Sequence, residues 1–213
     1  MARRTTPCRR LSTILLAGLL LASVGACTNT PKPRTLVDPN LPAEERERRE
    51  AAIRDADRAF QENNPEKAEQ LYMSAIAKYP DFGQAWNNLG VVLMSQSRFL
   101  EAGEAFDRAA DMEPTDPRPP YNRGLLWFDR GYLRESVPYF QESLERDPNY
   151  LPALRSAVRT AVLLRETSDL TLQQIKRAML LESDQQWRDF FERQRLLIEA
   201  TLSSKAPPPE PSL

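Results

Sequence analysis

The sequence predicts an all-α fold, a right-handed helix-turn-helix solenoid of about three to four units closed by a C-terminal capping helix. Three observations predict it. Pro80, Pro114 and Pro148 recur at a constant interval of about 34 residues. The residues before them repeat in step: Ala68, Ala102 and Ser136; Tyr72, Phe106 and Phe140; Ala75, Ala109 and Ser143. The composition, 28% charged and 8% aromatic with seven glycines in 213 residues, is that of a helical domain. A period of this length marks helix pairs that cannot bury their apolar faces alone and stack on one another to do so.

The same composition narrows the chemistry. The chain has no histidine and two cysteines, Cys8 and Cys27. A histidine-based triad, a thiol–imidazole pair and a His/Cys zinc site are therefore excluded. A net charge of −1 argues against a nucleic-acid partner. No Gly-rich phosphate loop and no metal-ligand spacing is present. Carboxylate pairs such as Asp55/Asp57 and Asp107/Asp111 lie on arginine-rich helix faces and read as surface ion-pair partners. The expectation is a protein that is not an enzyme, with no catalytic residues, no cofactor and no metal.

The first element, residues 1–26, reads as a signal peptide. Four arginines precede an uncharged apolar run from Leu11 to Ala26, too short for a comfortable permanent span. Residues 27–45 read as a flexible tether, with Pro31, Pro33, Pro39 and Pro42 among polar neighbours. A mixed charge run then opens the first helix, with Glu44/Arg48 and Glu45/Arg49 in the favourable i,i+4 order.

The repeat domain is expected over 46–202, with units at about 49–82, 83–116, 117–150 and 151–183. Gly90 and Gly124, with Ala56 in the same place, allow the two helices of a unit to approach closely. Trp86, Phe106, Trp127 and Phe140 fill the space between units. Each proline ends a second helix, because it lacks the N–H and its ring clashes with the preceding turn. Asp81, Asp116 and Asn149 are the expected caps of the helices that follow. In the degenerate fourth unit the second-helix pattern (Leu170, Leu172, Ile175, Ala178 and Leu181) is displaced by about one residue. Residues 184–202 form a last helix with Trp187, Phe190, Phe191, Ile198 and Leu202 on one broad face. That face either caps the array or serves self-association through Trp187, Phe190 and Phe191. Residues 203–213 read as a Pro-rich disordered tail.

Two resemblances rest on these residues. The segment Val24-Gly25-Ala26-Cys27, after an apolar run, resembles a bacterial lipoprotein signal. That implies cleavage before Cys27 and lipidation (diacylglycerol, then palmitate-like acylation) at that residue, an ordinary secretory signal being the alternative. With Thr28 rather than Asp following, the resemblance implies the periplasmic face of the outer membrane. The unit at 83–116 reads Trp86-x2-Leu89-Gly90, then Ala102-x3-Phe106, Ala109 and Pro114, and resembles the tetratricopeptide repeat.

In that family, first helices line a groove that holds a protein partner. Carried over by position, the groove residues here are Asn87, Asn88, Arg118, Tyr121, Asn122, Arg155 and Arg159, with Ile53 and Asp57 from the first unit. Amides and arginines suit an extended peptide or an acidic segment. Asn88, Arg118 and Asn122 match three of five places of the family's carboxylate clamp, while Ile53 and Asp57 stand where a lysine and an asparagine are required. The resemblance implies a tethered adaptor or scaffold that assists assembly of an envelope complex. A pilotin-like factor for pilus or secretion-channel assembly and a self-associating structural lipoprotein are the alternatives.

Overall fold

The computed structural model describes residues 41–205. The readings for the signal peptide, Cys27, most of the tether and the terminal prolines lie outside them. Among the described residues there are nine helices and no strand: α1 Ala43–Gln61, α2 Pro65–Lys78, α3 Gly83–Ser95, α4 Phe99–Met112, α5 Arg118–Asp129, α6 Leu133–Arg146, α7 Leu151–Leu163, α8 Asp169–Leu181 and α9 Gln185–Lys205. Helix α1 thus begins inside the stretch read as tether, and α9 continues into the start of the stretch read as tail. Consecutive helices pack as four antiparallel pairs followed by α9, and each pair stacks on the next. The fold is a helix-turn-helix solenoid.

The period is written into the turns as well as the packing. The one residue with positive φ between the helices of each pair is Asn63, Ser97, Gly131 and Arg165, at φ of 58°, 63°, 81° and 56°. These four positions recur at the repeat interval, although only one is glycine. The left-handed conformation is strained for a residue with a Cβ, so the stacked helices impose it at Ser97 and Arg165. Pro80, Pro114 and Pro148 each stand just past the last residue of α2, α4 and α6, where a helix would have to continue through a missing donor.

Within a pair, the first helix meets the second at glycine. A Cβ on Gly90 would lie 2.5 Å from the Phe106 ring, and one on Gly124 2.6 Å from the Phe140 ring. Both rings are fully buried. In the fourth pair Val158 replaces the glycine, and α8 answers with the aliphatic Ile175 in place of a phenylalanine. Its buried set, Thr171, Ile175 and Ala178, falls one place later than the repeat interval carries Ser136, Phe140 and Ser143. One extra residue after the Arg165 turn shifts the whole helix.

Helix ends depart from the expected caps. Asp81 turns back to Arg49 of α1 (3.1 Å), and the α3 N-terminus is served by Glu113, whose Oε1 accepts from the Gln84 N–H at 2.9 Å. Asn149 donates its backbone N–H to Asp147 rather than capping α7. Of the three, only Asp116 accepts from the helix that follows it, at the Arg118 N–H (2.9 Å). Side-chain caps do hold α2 through Asn64 and α8 through Ser168, and Asp184 accepts from two backbone N–H groups at the start of α9.

Candidate functional site

The first helices α1, α3, α5 and α7 touch one another in sequence and form the inner face. Positions five and six of the units at 83–116 and 117–150 fall on it, which is why amides at those places meet across units. Asn122 of α5 donates to Asn87 of α3 (2.8 Å), Asn87 donates to Asn88 (3.2 Å), and Asn88 donates to Asp57 of α1 (3.1 Å). The Tyr72 hydroxyl of α2 closes the ladder on the same Asp57 oxygen. Burial pushes the Asp57 carboxyl up, while Tyr72 and Asn88 pull it down; burial wins. Asn87 is 4% exposed and sets the other two. Asn88 and Asn122 are half-buried and keep a second N–H and unused lone pairs for a ligand.

Asp57 is therefore the end of the ladder rather than a defective clamp position. The sequence pairs it with no amide, because the contact joins two different units and the two residues hold different places within them. Ile53, carried over to the same groove, is 2% exposed and belongs to the first apolar cluster.

The arginines divide. Arg118 is engaged inside the array: Nε lies 3.0 and 2.9 Å from the two Asp116 oxygens and Nη2 2.7 Å from Oδ2. Arg146 of α6 adds three bonds from Nη1, to the carbonyls of Ala110, Glu113 and Asp116, a cation on the last carbonyls of α4. The junction of the second and third units is thus polar, where the flanking junctions carry Phe82 and Tyr150 at the Asp116 position. Burial first, then the Asp116 charge, pushes the Glu113 carboxyl up to about 7. Arg118 consequently does not present a guanidinium to the groove.

Arg155 is also committed. Its Nε and Nη2 form a two-point pair with Glu182 (2.7 and 2.6 Å), and its guanidinium stacks on Trp187 at 4.9 Å. Burial acts to raise the Glu182 carboxyl, but Arg155 and the Asp184 and Ser183 N–H groups outweigh it and hold it low. Tyr121 packs edge-on against Tyr150 (5.4 Å) and near Phe140 (6.0 Å). Arg159 is exposed, lies over Phe128 at 5.1 Å and makes no ion pair among the described residues. Of the aromatic residues on α9, Phe191 is fully buried, and Trp187 and Phe190 pack half-buried against the second apolar cluster. They face into the array because α7 and α8 leave Leu154, Ile175 and Ala178 uncovered otherwise. Among the described residues no group of His, Cys, Asp and Glu has the geometry of a metal site, and no helix is long and apolar enough to cross a membrane.

Comparison with known proteins agrees with this arrangement. A tetratricopeptide repeat family model matches residues 53–117. The chain is 29% identical over 121 residues to human protein O-mannosyl-transferase TMTC3, which covers 56% of this chain and 13% of that protein. It is 32% identical over 79 residues to a peroxisomal targeting signal receptor of Eremothecium gossypii, covering 37% of this chain and 14% of the other. The chain therefore spans a small part of these relatives. Among solved structures, that from a functional characterization of Pseudomonas aeruginosa pilF superposes with a TM-score of 0.58 at 20% identity, covering 73% of this chain and 75% of that one. The MamA RS-1 ArsTM double mutant gives 0.53 at 11% identity, covering 74% and 97%. Both likenesses concern the fold. Helix pairs at a constant step, glycines under phenylalanine rings and a family match across the first two pairs converge: residues 53–117 carry tetratricopeptide repeats, and the helix pairs that follow continue the same solenoid fold.

Proposed function

We propose that the protein is a non-enzymatic adaptor of a bacterial cell envelope. A lipid on Cys27 tethers it, and its inner face holds a segment of another protein, assisting assembly of an envelope complex. The observation that carries the binding part is the amide ladder Asn122–Asn87–Asn88–Asp57 across three successive first helices. It fixes side-chain donors and acceptors in a row, which suits the backbone of an extended peptide. The anchor rests on the sequence around Cys27. Two or three acyl chains, at about 0.8 kcal/mol per buried methylene, hold a protein durably where one chain does not.

Two measurements test the reading. Asn88→Ala with Asn122→Ala should reduce capture of the native partner at least about tenfold, two lost hydrogen bonds at roughly 1 kcal/mol each with unpaired groups left behind. Helicity and Tm should change little, since both side chains are only half-buried. Capture equal to wild type would remove the ladder as the site. Separately, Cys27→Ser should yield protein that is unprocessed or absent from the lipid-anchored membrane fraction; unchanged fractionation contradicts the anchor.

A further inference from the structure

Beyond the amide ladder, the C-terminal helices α7 and α9 carry a repeated Arg–Leu pair. Arg159 and Leu163 stand one turn apart on α7, and Arg193 and Leu197 stand one turn apart on α9. The second pair is the first displaced by one repeat length. Residues at this spacing share a helix face. All four side chains are open to solvent: Leu163 is 57% and Leu197 60% exposed, and both arginines are exposed. Leu196, beside Leu197, is 55% exposed. Neither arginine makes an ion pair among the described residues, in contrast to Arg155, which Glu182 occupies. Helix α9 follows α7 in the same direction with α8 returning between them, and the Arg155–Trp187 stack joins their N-terminal ends.

We propose that α7 and α9 form a docking surface for an amphipathic helix of a partner protein, one whose stripe carries apolar residues flanked by acidic ones. This rests on the reading that the inner face binds a partner, and it specifies the partner's chemistry. Charge complementarity selects the acidic stripe. Two unpaired guanidiniums sit one turn from two exposed leucines, so a bound helix covers the leucines and brings carboxylates onto the arginines together. Phe128 already contacts Arg159, whose guanidinium carbon lies 5.1 Å from the ring centroid, and the planar guanidinium fork loses little entropy for each hydrogen bond it forms. Two acidic groups of this chain stand nearby and limit the attraction. Asp129, raised by burial and opposed by Arg159, lies on the adjacent α5. Asp189 lies one turn before Arg193 and accepts from Gln185 at 2.7 Å. Each is outside ion-pair distance of its arginine, which leaves both cations available.

The test uses the purified protein and synthetic peptides labelled for fluorescence anisotropy, each of about 20 residues so that it can hold a helix in isolation. One set carries Leu and Glu on one face at i,i+3, i,i+4 and i,i+7 spacings. A second set has Lys for every Glu, and a third has Ala for every Leu. At least one Leu/Glu peptide is expected to bind, with its Lys and Ala counterparts at least about tenfold weaker, the loss of one to two charge-assisted contacts or anchors. Arg159→Glu with Arg193→Glu should reverse the preference to the Lys peptide. Leu163→Asp with Leu197→Asp should abolish binding of both while the circular dichroism and Tm stay unchanged, since these residues contribute little to the core. Equal binding of the Glu and Lys peptides, no binding by any, or indifference to the charge reversal would overturn the proposal. So would a concentration-dependent dimer in sedimentation that the leucine changes dissolve, because the occupant would then be a second copy. If the Asn88/Asn122 changes reduce capture of the native partner and the α7/α9 changes do not, this surface fails and the groove reading stands; if neither set does, the groove reading itself fails.

Discussion

Replacing Asp116 by alanine is expected to lower the unfolding free energy by about 3–5 kcal/mol, the effect of removing one partner of a buried ion pair. Asp116 is 1% exposed and takes both the Arg118 guanidinium and the Arg118 backbone N–H. Without it, Arg118 keeps only Glu113 at 4.0 Å and remains in a site closed to water. The double change Asp116→Leu with Arg118→Met should recover most of the loss, because paired charges replaced by apolar groups of similar size are often close to neutral. Urea denaturation of the three proteins measures it. A loss under about 1 kcal/mol for the single change, the size of an exposed pair, would mean that Arg118 finds water and that the junction is open. The junction also titrates. Glu113 has a raised carboxyl, so the folded state binds its proton more tightly than the unfolded state does. Its contribution to stability is therefore present below the unfolded value of about 4.3 and declines as pH rises through about 7.

Phe191→Ala should cost about 3–5 kcal/mol, the range for deleting a fully buried phenylalanine, and should leave the protein in its original oligomeric state. Phe191 is 0% exposed and meets Trp187 and Phe190 at centroid distances of 5.6 Å. Its ring closes the second apolar cluster against Ile175 and Ala178. An unstacked terminal helix pair would otherwise expose that surface. Thermal unfolding with sedimentation of the folded protein separates the two roles of α9. A variant that keeps its Tm but changes from dimer to monomer would make the aromatic face an interface.

The register was legible because it is repeated. Gly90 under Phe106 and Gly124 under Phe140 need small and large residues at a fixed separation, and that pattern survives in the letters. The one-residue displacement of α8 was legible for the same reason, through Ile175 and Ala178, whereas Leu170 and Leu181, read as part of the same apolar pattern, are exposed. What the letters hide is the choice among partners. Arg118 occupies a position that faces the groove in a regular unit, yet Asp116 just before it captures it, and nothing in the spacing weighs an inward pair against an outward one. Arg155 is taken by Glu182, in a connection with no repeat landmark. The left-handed turns at Ser97 and Arg165 carry no glycine to announce them. The Arg–Leu pairs at 159/163 and 193/197 are visible as a repeat, but they lie at positions where the family pattern carries no landmark.

Site-specific photocrosslinking in the native cell asks directly whether the inner face binds another protein. A photoreactive side chain would replace Asn88 or Asn122 on the inner face, and Leu100, 78% exposed on α4, as the control. Asn88 and Asn122 are both expected to crosslink to the same partner, and Leu100 is not. A partner captured from Leu100 and from neither inner position would contradict binding at the inner face.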